Sequence, residues 1–162
     1  MVNKSTLVTL GLGLAVASVV VGLIVLKQRG STPRLVGEIS QVRTLGMDPS
    51  SSVAIADFHF TNSSRYTFIV QLSDMAVVDA KGETRQGQVI SADHVNQLFE
   101  LFPALGPKNG EPLIIKTKIV PQALFSGMMG ARFDLSKTDL DARKKITVSI
   151  IEVDGAISEL SR

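Results

Sequence analysis

Residues 7–26 (LVTLGLGLAVASVVVGLIVL) pass without a charge, and beyond them the apolar residues fall into short alternating stretches. The first pattern predicts a membrane-spanning helix: twenty residues at about 1.5 Å rise match a hydrocarbon layer of roughly 30 Å. The second predicts strands. Residues 36–45 read as a half-polar first strand and 46–52 (GMDPSSS) as a turn. In 53–62, Ala54, Ala56, Phe58 and Phe60 share one face while Asp57, His59 and Thr61 share the other, so the inner face is apolar and the outer face mostly polar. Residues 66–79 carry Phe68, Val70 and Leu72 in one phase, then Met75 and Val77 in the other, so a bulge is expected near 73–74. A weaker strand at 85–90 contains Gly87. Residues 112–120 alternate Leu113, Ile115, Thr117 and Ile119 against Ile114, Lys116 and Lys118, as a half-buried strand would. After Gly127-Met-Met-Gly130, residues Ala131, Phe133 and Leu135 share a face, and 146–154 and 156–160 close the chain around an Asp154-Gly155 turn.

One stretch breaks the alternation. Within 93–102, Val95, Leu98, Phe99 and Phe102 stand at i, i+3, i+4 and i+7, one apolar stripe of a helix, with Ser91 or Asp93 placed to cap its start. A helical turn is expected at 137–144. The fold class is mainly β: a single transmembrane helix followed by an antiparallel immunoglobulin-like β-sandwich with one inserted α-helix. The expected organisation is a tail at 1–6, the span at 7–26, a linker at 27–34 and the sandwich at 35–162. The linker is too short to hold the sandwich far from a bilayer.

Ala15-Val16-Ala17 has the small-x-small form of a cleavage site, yet the apolar run continues nine residues beyond it, which favours an uncleaved anchor. Gly11, Ala15, Ser18 and Gly22, spaced by four, three and four, stack small side chains on one helix face. Such a face admits a second helix, although small residues are also common in membrane helices that have no partner. Positive side chains number one before the span (Lys4) and three after it (Lys27, Arg29 and Arg34), a count that by itself places the sandwich in the cytoplasm. A short tail before an apolar helix is also the form of an exporting signal-anchor. With a sandwich of this type behind it, the expectation is a single pass through the inner membrane and a periplasmic domain.

The net charge of +2 sums two unlike regions, because four cations flank the span and the remainder carries −2. That balance removes the electrostatic footprint of nucleic-acid binding. Cysteine is absent, which excludes disulfides, thiol nucleophiles and thiolate metal sites. His59 and His94 are the only histidines, and no Gly-x-Ser-x-Gly elbow accompanies them. Asp134, Asp139 and Asp141 lack the Gly and Glu spacing of a calcium loop. No catalytic residue, cofactor or metal ligand is expected, and the chain is read as a non-enzyme.

The passage 58–66 (FHFTNSSRY), a strand ending in Asn62-Ser63 and restarting on Tyr66, is followed by 78–83 (VDAKGE). It resembles bacterial membrane-anchored immunoglobulin-like domains and, more loosely, the plant late-embryogenesis (LEA type 2) sandwich, whose Asn-Pro pair is replaced here by Asn62-Ser63. The resemblance implies a scaffold or interaction domain and carries over no catalytic residue.

The expected function is a membrane-anchored binding or scaffold domain, an accessory or assembly subunit of a cell-envelope complex with a protein partner. Val95, Leu98, Phe99, Phe102, Met128 and Met129 are its candidate contact residues. The alternative is a carrier or sensor for an apolar or lipid-like ligand held between the helix and the sheet. A hydrolase is third, and would require His59 or His94 beside a serine and a carboxylate in a cleft.

Overall fold

The computed structural model describes residues 35–162. The expected tail, span and linker, with Gly11, Ala15, Ser18 and Gly22, lie outside the described residues. Among the described residues no helix is long and apolar enough to cross a membrane.

Ten strands form two sheets. In the first, β1 (Leu35–Asp48), β2 (Ser51–Asn62), β8 (Leu124–Phe133) and β5 (Gln88–Val89) lie side by side, all antiparallel, and β6 (Glu111–Pro112) adds a short parallel pairing to β8. In the second, the order is β10 (Ile157–Ser161), β9 (Lys145–Glu152), β3 (Phe68–Val78) and β4 (Thr84–Gln86), with β7 (Lys118–Ile119) also on β3. Alternate residues of each strand turn inward. Ala56, Phe58 and Phe60 of β2, Met75 and Val77 of β3, and Val148 and Ile150 of β9 meet in one buried cluster between the sheets. The Phe60 ring stacks between Phe58 and Phe125, at centroid distances of 5.7 and 5.2 Å.

The strand expected at 85–90 is two strands, split at Gly87, where the chain leaves one sheet for the other. Gly87 donates its N–H to Met75 O at 2.8 Å, and a Cβ there would lie 2.6 Å from the Phe133 ring, so no larger residue makes this crossing. The strand expected at 112–120 is likewise interrupted. Lys116 takes a φ of 69°, and Thr117 Oγ1 donates to Ile114 O at 2.7 Å, closing a turn that leaves Ile114 and Ile115 exposed. The bulge of β3 falls between Val70 and Leu72, just before its expected place.

Two helices complete the domain. The first, α1 (Ala92–Leu101), is capped by Ser91, whose side chain accepts the His94 N–H, and is followed by a 3-10 turn (Pro103–Leu105). The second, α2 (Lys137–Asp141), is capped in the same way by Ser136 and inserts Leu140 into the main core.

The chain enters at one end of the sandwich. From Leu35, β1 runs its 14 residues to the opposite end, about 40 Å away at the usual strand rise. Asn62, fully buried at the entry end, ties together the loops there. Its Nδ2 donates to Tyr66 O at 2.7 Å and Ile119 O at 2.8 Å, and its backbone carbonyl accepts the Gln122 N–H at 2.8 Å.

Glu152, on the inner face of β9 at the same end, is buried with Oε2 unpartnered. Burial pushes its carboxyl above the ordinary value of 4.5, with the hydrogen bond from Ile69 pulling the other way. The folded state therefore holds this proton more tightly than the unfolded chain. Its contribution is favourable at low pH and is lost as pH rises through the folded value. Glu152→Gln is expected to raise stability at pH 7 by about 1 kcal/mol, with the gain vanishing below about pH 4. Urea titrations of both proteins at the two pH values check this, since subtracting one curve from the other cancels the lowered carboxyls of Asp48, Asp79 and Asp141.

Candidate binding surface

The outer face of the first sheet is not solvated as its polar residues suggest. Val53 and Ile55 share the phase of Asp57 on β2, and with Met128 of β8 they form a second buried cluster, roofed by Val95 of α1 and Leu105 of the 3-10 turn. Leu98, Phe99, Ile90 and Leu45 pack against it. Close approach of the helix depends on Gly130, opposite Ile55 in register. A Cβ at Gly130 would stand 2.9 Å from Ile90 Cδ1 and 3.1 Å from Val95 Cγ2.

Beneath the same roof lies an ion pair. Arg43 of β1 donates from its NH1 nitrogen to Asp57 Oδ2 at 2.5 Å, both side chains being nearly inaccessible, and from NH2 to Pro107 O at 3.0 Å. Phe99 covers the guanidinium at 5.3 Å, and Asn109 Nδ2 donates to Asp57 Oδ2 at 3.3 Å and Gln41 Oε1 at 3.2 Å. Helix, 3-10 turn and the loop at 106–110 are thus pinned to the sheet by one buried polar cluster as well as by apolar packing.

The helix leaves part of the sheet uncovered. Between α1 and the β1–β2 turn runs an apolar cleft of about 470 Å³, lined by Met47, Val53, Ile90, Leu98 and Leu101. Leu101 is 72 % exposed at its mouth and Met47 49 %. Asp48, Arg132, His94 and Gln97 stand around it. The Asp48 carboxyl is engaged by the side-chain and backbone donors of Ser51 and Ser50, which hold it down at about 2. Among the described residues Arg132 pairs with Asp134, at 3.9 Å. The rim of the cleft therefore carries charges of both signs, a carboxylate at Asp48 and a guanidinium at Arg132.

Val95, Leu98, Phe99 and Met128 come together beneath the helix. Phe102 does not join them, because at φ −124° it already leaves the helix as its C-cap. Met129, adjacent to Met128 in an extended strand, points the other way into the main core, and both methionines are buried. Missed from the sequence were Arg43, Met47 and Leu101. Val53 and Ile55, two β-branched residues in phase with Asp57, are the signal that this face is covered. His94 Nδ1 lies 3.0 Å from Ser91 Oγ within the helix cap, and His59 Nε2 of β2 is 3.6 Å from Glu38 Oε1 of β1.

Fold and surface together define a helix-capped antiparallel β-sandwich with an open apolar cleft. No protein-family model matches the chain, and no curated protein sequence matches it. Among solved structures it is similar to an uncharacterised β-sandwich protein from Clostridium difficile 630, at 10 % identity over 81 % of this chain and 89 % of that one, with a TM-score of 0.40. It is also similar to the archaellum periplasmic stator protein FlaG from Sulfolobus acidocaldarius, at 12 % identity over 79 % and 99 % of the two chains (TM-score 0.34). The complex of FlaF and FlaG from the same organism matches at 12 % identity over 78 % and 87 % (TM-score 0.31). Superposition at this level carries no function across.

Proposed function

We propose that this chain is a single-pass membrane-anchored binding subunit of a cell-envelope complex, whose immunoglobulin-like domain works by contact rather than by chemistry. The observation that supports this reading is the exposure of Leu101 and Met47 at the mouth of an apolar cleft. A single exposed leucine is ordinary, but two large apolar side chains converging on a concave apolar floor mark an interaction site. The partner is a protein segment with an apolar anchor for the cleft, flanked by polar groups that meet Asp48 and Arg132 at its rim. In the envelope reading, the domain is periplasmic.

Leu101→Asp is expected to leave the melting temperature within about 2 °C of the parent, since the residue is exposed, and to weaken partner binding more than about tenfold. Circular dichroism melts measure the first, and photo-crosslinking from position 97 on the cleft wall in intact cells, with and without Leu101→Asp and with and without Met47→Glu, measures the second. Crosslinks that persist in the Met47→Glu protein would sink the reading. The absence of native cysteine allows the location to be tested with Lys108→Cys and a maleimide that does not cross the inner membrane: labelling in intact cells supports a periplasmic domain, and labelling only after lysis overturns it.

A cleft of about 470 Å³ also lies within the size range of small-molecule sites, which favours a second reading as a carrier or sensor for an apolar, lipid-like ligand. Organic extraction of the purified protein distinguishes the two, because a stoichiometric lipid lost on Leu101→Asp supports the carrier.

A further inference from the structure

The apolar side chains left exposed are unevenly placed. Tyr66, Val120, Leu124 and Val153 all belong to the end where the chain enters at Leu35, and Tyr66 and Leu124 are 63 % and 67 % exposed. They stand on or beside three loops, 63–67, 120–123 and 153–156. Asn62 holds the first two together, and Val153 donates its N–H to Ile69 O beside them. Leu124 also pairs with Thr61, which pairs with Val36, so the exposed Leu124 and Val36 flank Thr61 on the outer face of the first sheet at this same end. Arg65, Lys116 and Lys118 are its exposed cations, Asp154 is the carboxylate within the three loops, and Glu38 and Glu159 are exposed on the strands behind them.

We infer that this end of the sandwich rests on the headgroup and upper acyl region of the bilayer, with anionic lipid as its partner. The inference rests on the anchored reading above. In that reading the eight residues 27–34 of the sequence can reach at most about 28 Å. The cleft at Leu101, by contrast, opens toward the far end of β1. A tyrosine among aliphatic side chains, with lysine and arginine beside them, is the composition of a membrane interface: the ring and aliphatic groups leave water and the cations meet lipid phosphates.

The test uses the full chain in vesicles of phosphatidylcholine with phosphatidylglycerol, carrying an environment-sensitive fluorophore on a single cysteine and a quencher on shallow lipid carbons. Leu124→Cys, Leu101→Cys and Val19→Cys report on the entry end, the cleft and the span. Quenching at position 124 is expected to exceed that at 101 by about threefold or more, and to fall to the level of 101 when Arg65, Lys116 and Lys118 are all replaced by Glu. If position 19 is quenched by deep-lying quenchers while 124 is no more quenched than 101, the anchor stands and the resting surface is wrong. Quenching at 124 that survives the charge reversal also overturns it. If position 19 itself is not quenched, both the anchor and the resting surface fail.

Discussion

Asp57→Ala is expected to destabilise the domain by about 3–5 kcal/mol, the cost of leaving the Arg43 guanidinium buried without its counter-ion. Lost with it is the hydrogen bond from Asn109, and the guanidinium that holds Pro107 O is left without its counter-ion, so the loop at 106–110 loosens as well. Replacing both partners by apolar residues of similar volume, Arg43→Met with Asp57→Leu, is expected to recover most of that loss, because no charge then remains to be solvated. Urea titrations of the two variants measure the difference. Equal destabilisation by both would show that the cluster acts through its shape and not its charge. The double variant also separates stability from recognition, since the cleft at Leu101 is lined by other side chains.

Gly37→Ala is expected to cost about 3 kcal/mol or more, although the residue is exposed and the change adds one methyl group. A Cβ at Gly37 would stand 2.0 Å from the His59 carbonyl oxygen and 2.5 Å from Phe60 Cα, both on the facing strand. Backbone cannot swing aside as a side chain does, so the first turns of the β1–β2 ladder must separate. Hydrogen exchange is expected to show lost protection in β1 from Leu35 to Ile39 and in β2 from Phe58 to Asn62, with the opposite end unchanged. Gly130→Ala is the milder comparison, since the first atom it meets is the flexible tip of Ile90.

The inner faces of the sandwich were legible because alternation reports directly on which residues face a core. Ala56, Phe58 and Phe60 lie where their phase puts them, and α1 starts one residue before its expected place. Burial of the second face of β2 was not legible in the same way. Periodicity shows that Val53, Ile55 and Asp57 share a side, but what covers that side comes from α1, more than thirty residues later in the chain. The pairing of Arg43 with Asp57 depends on the register of two strands, which no local pattern encodes. At 112–120 the alternating pattern was present and misleading: Lys116 adopts a positive φ, and Ile114 and Ile115 remain in water instead of entering a sheet. The cleft stayed hidden because its mouth joins Met47 of β1 to Leu101 of α1, each ordinary in its own sequence context.

The length of β1 bears on how the domain carries load. Tension applied at Leu35 and resisted at the far end of the sandwich acts along the strand axis, while the ladder to β2 lies across it over nearly the whole strand. Those hydrogen bonds are strained together in shear and do not peel one after another. Pulled along this direction, the sandwich behaves as a stiff mechanical coupling between Leu35 and the opposite end of β1.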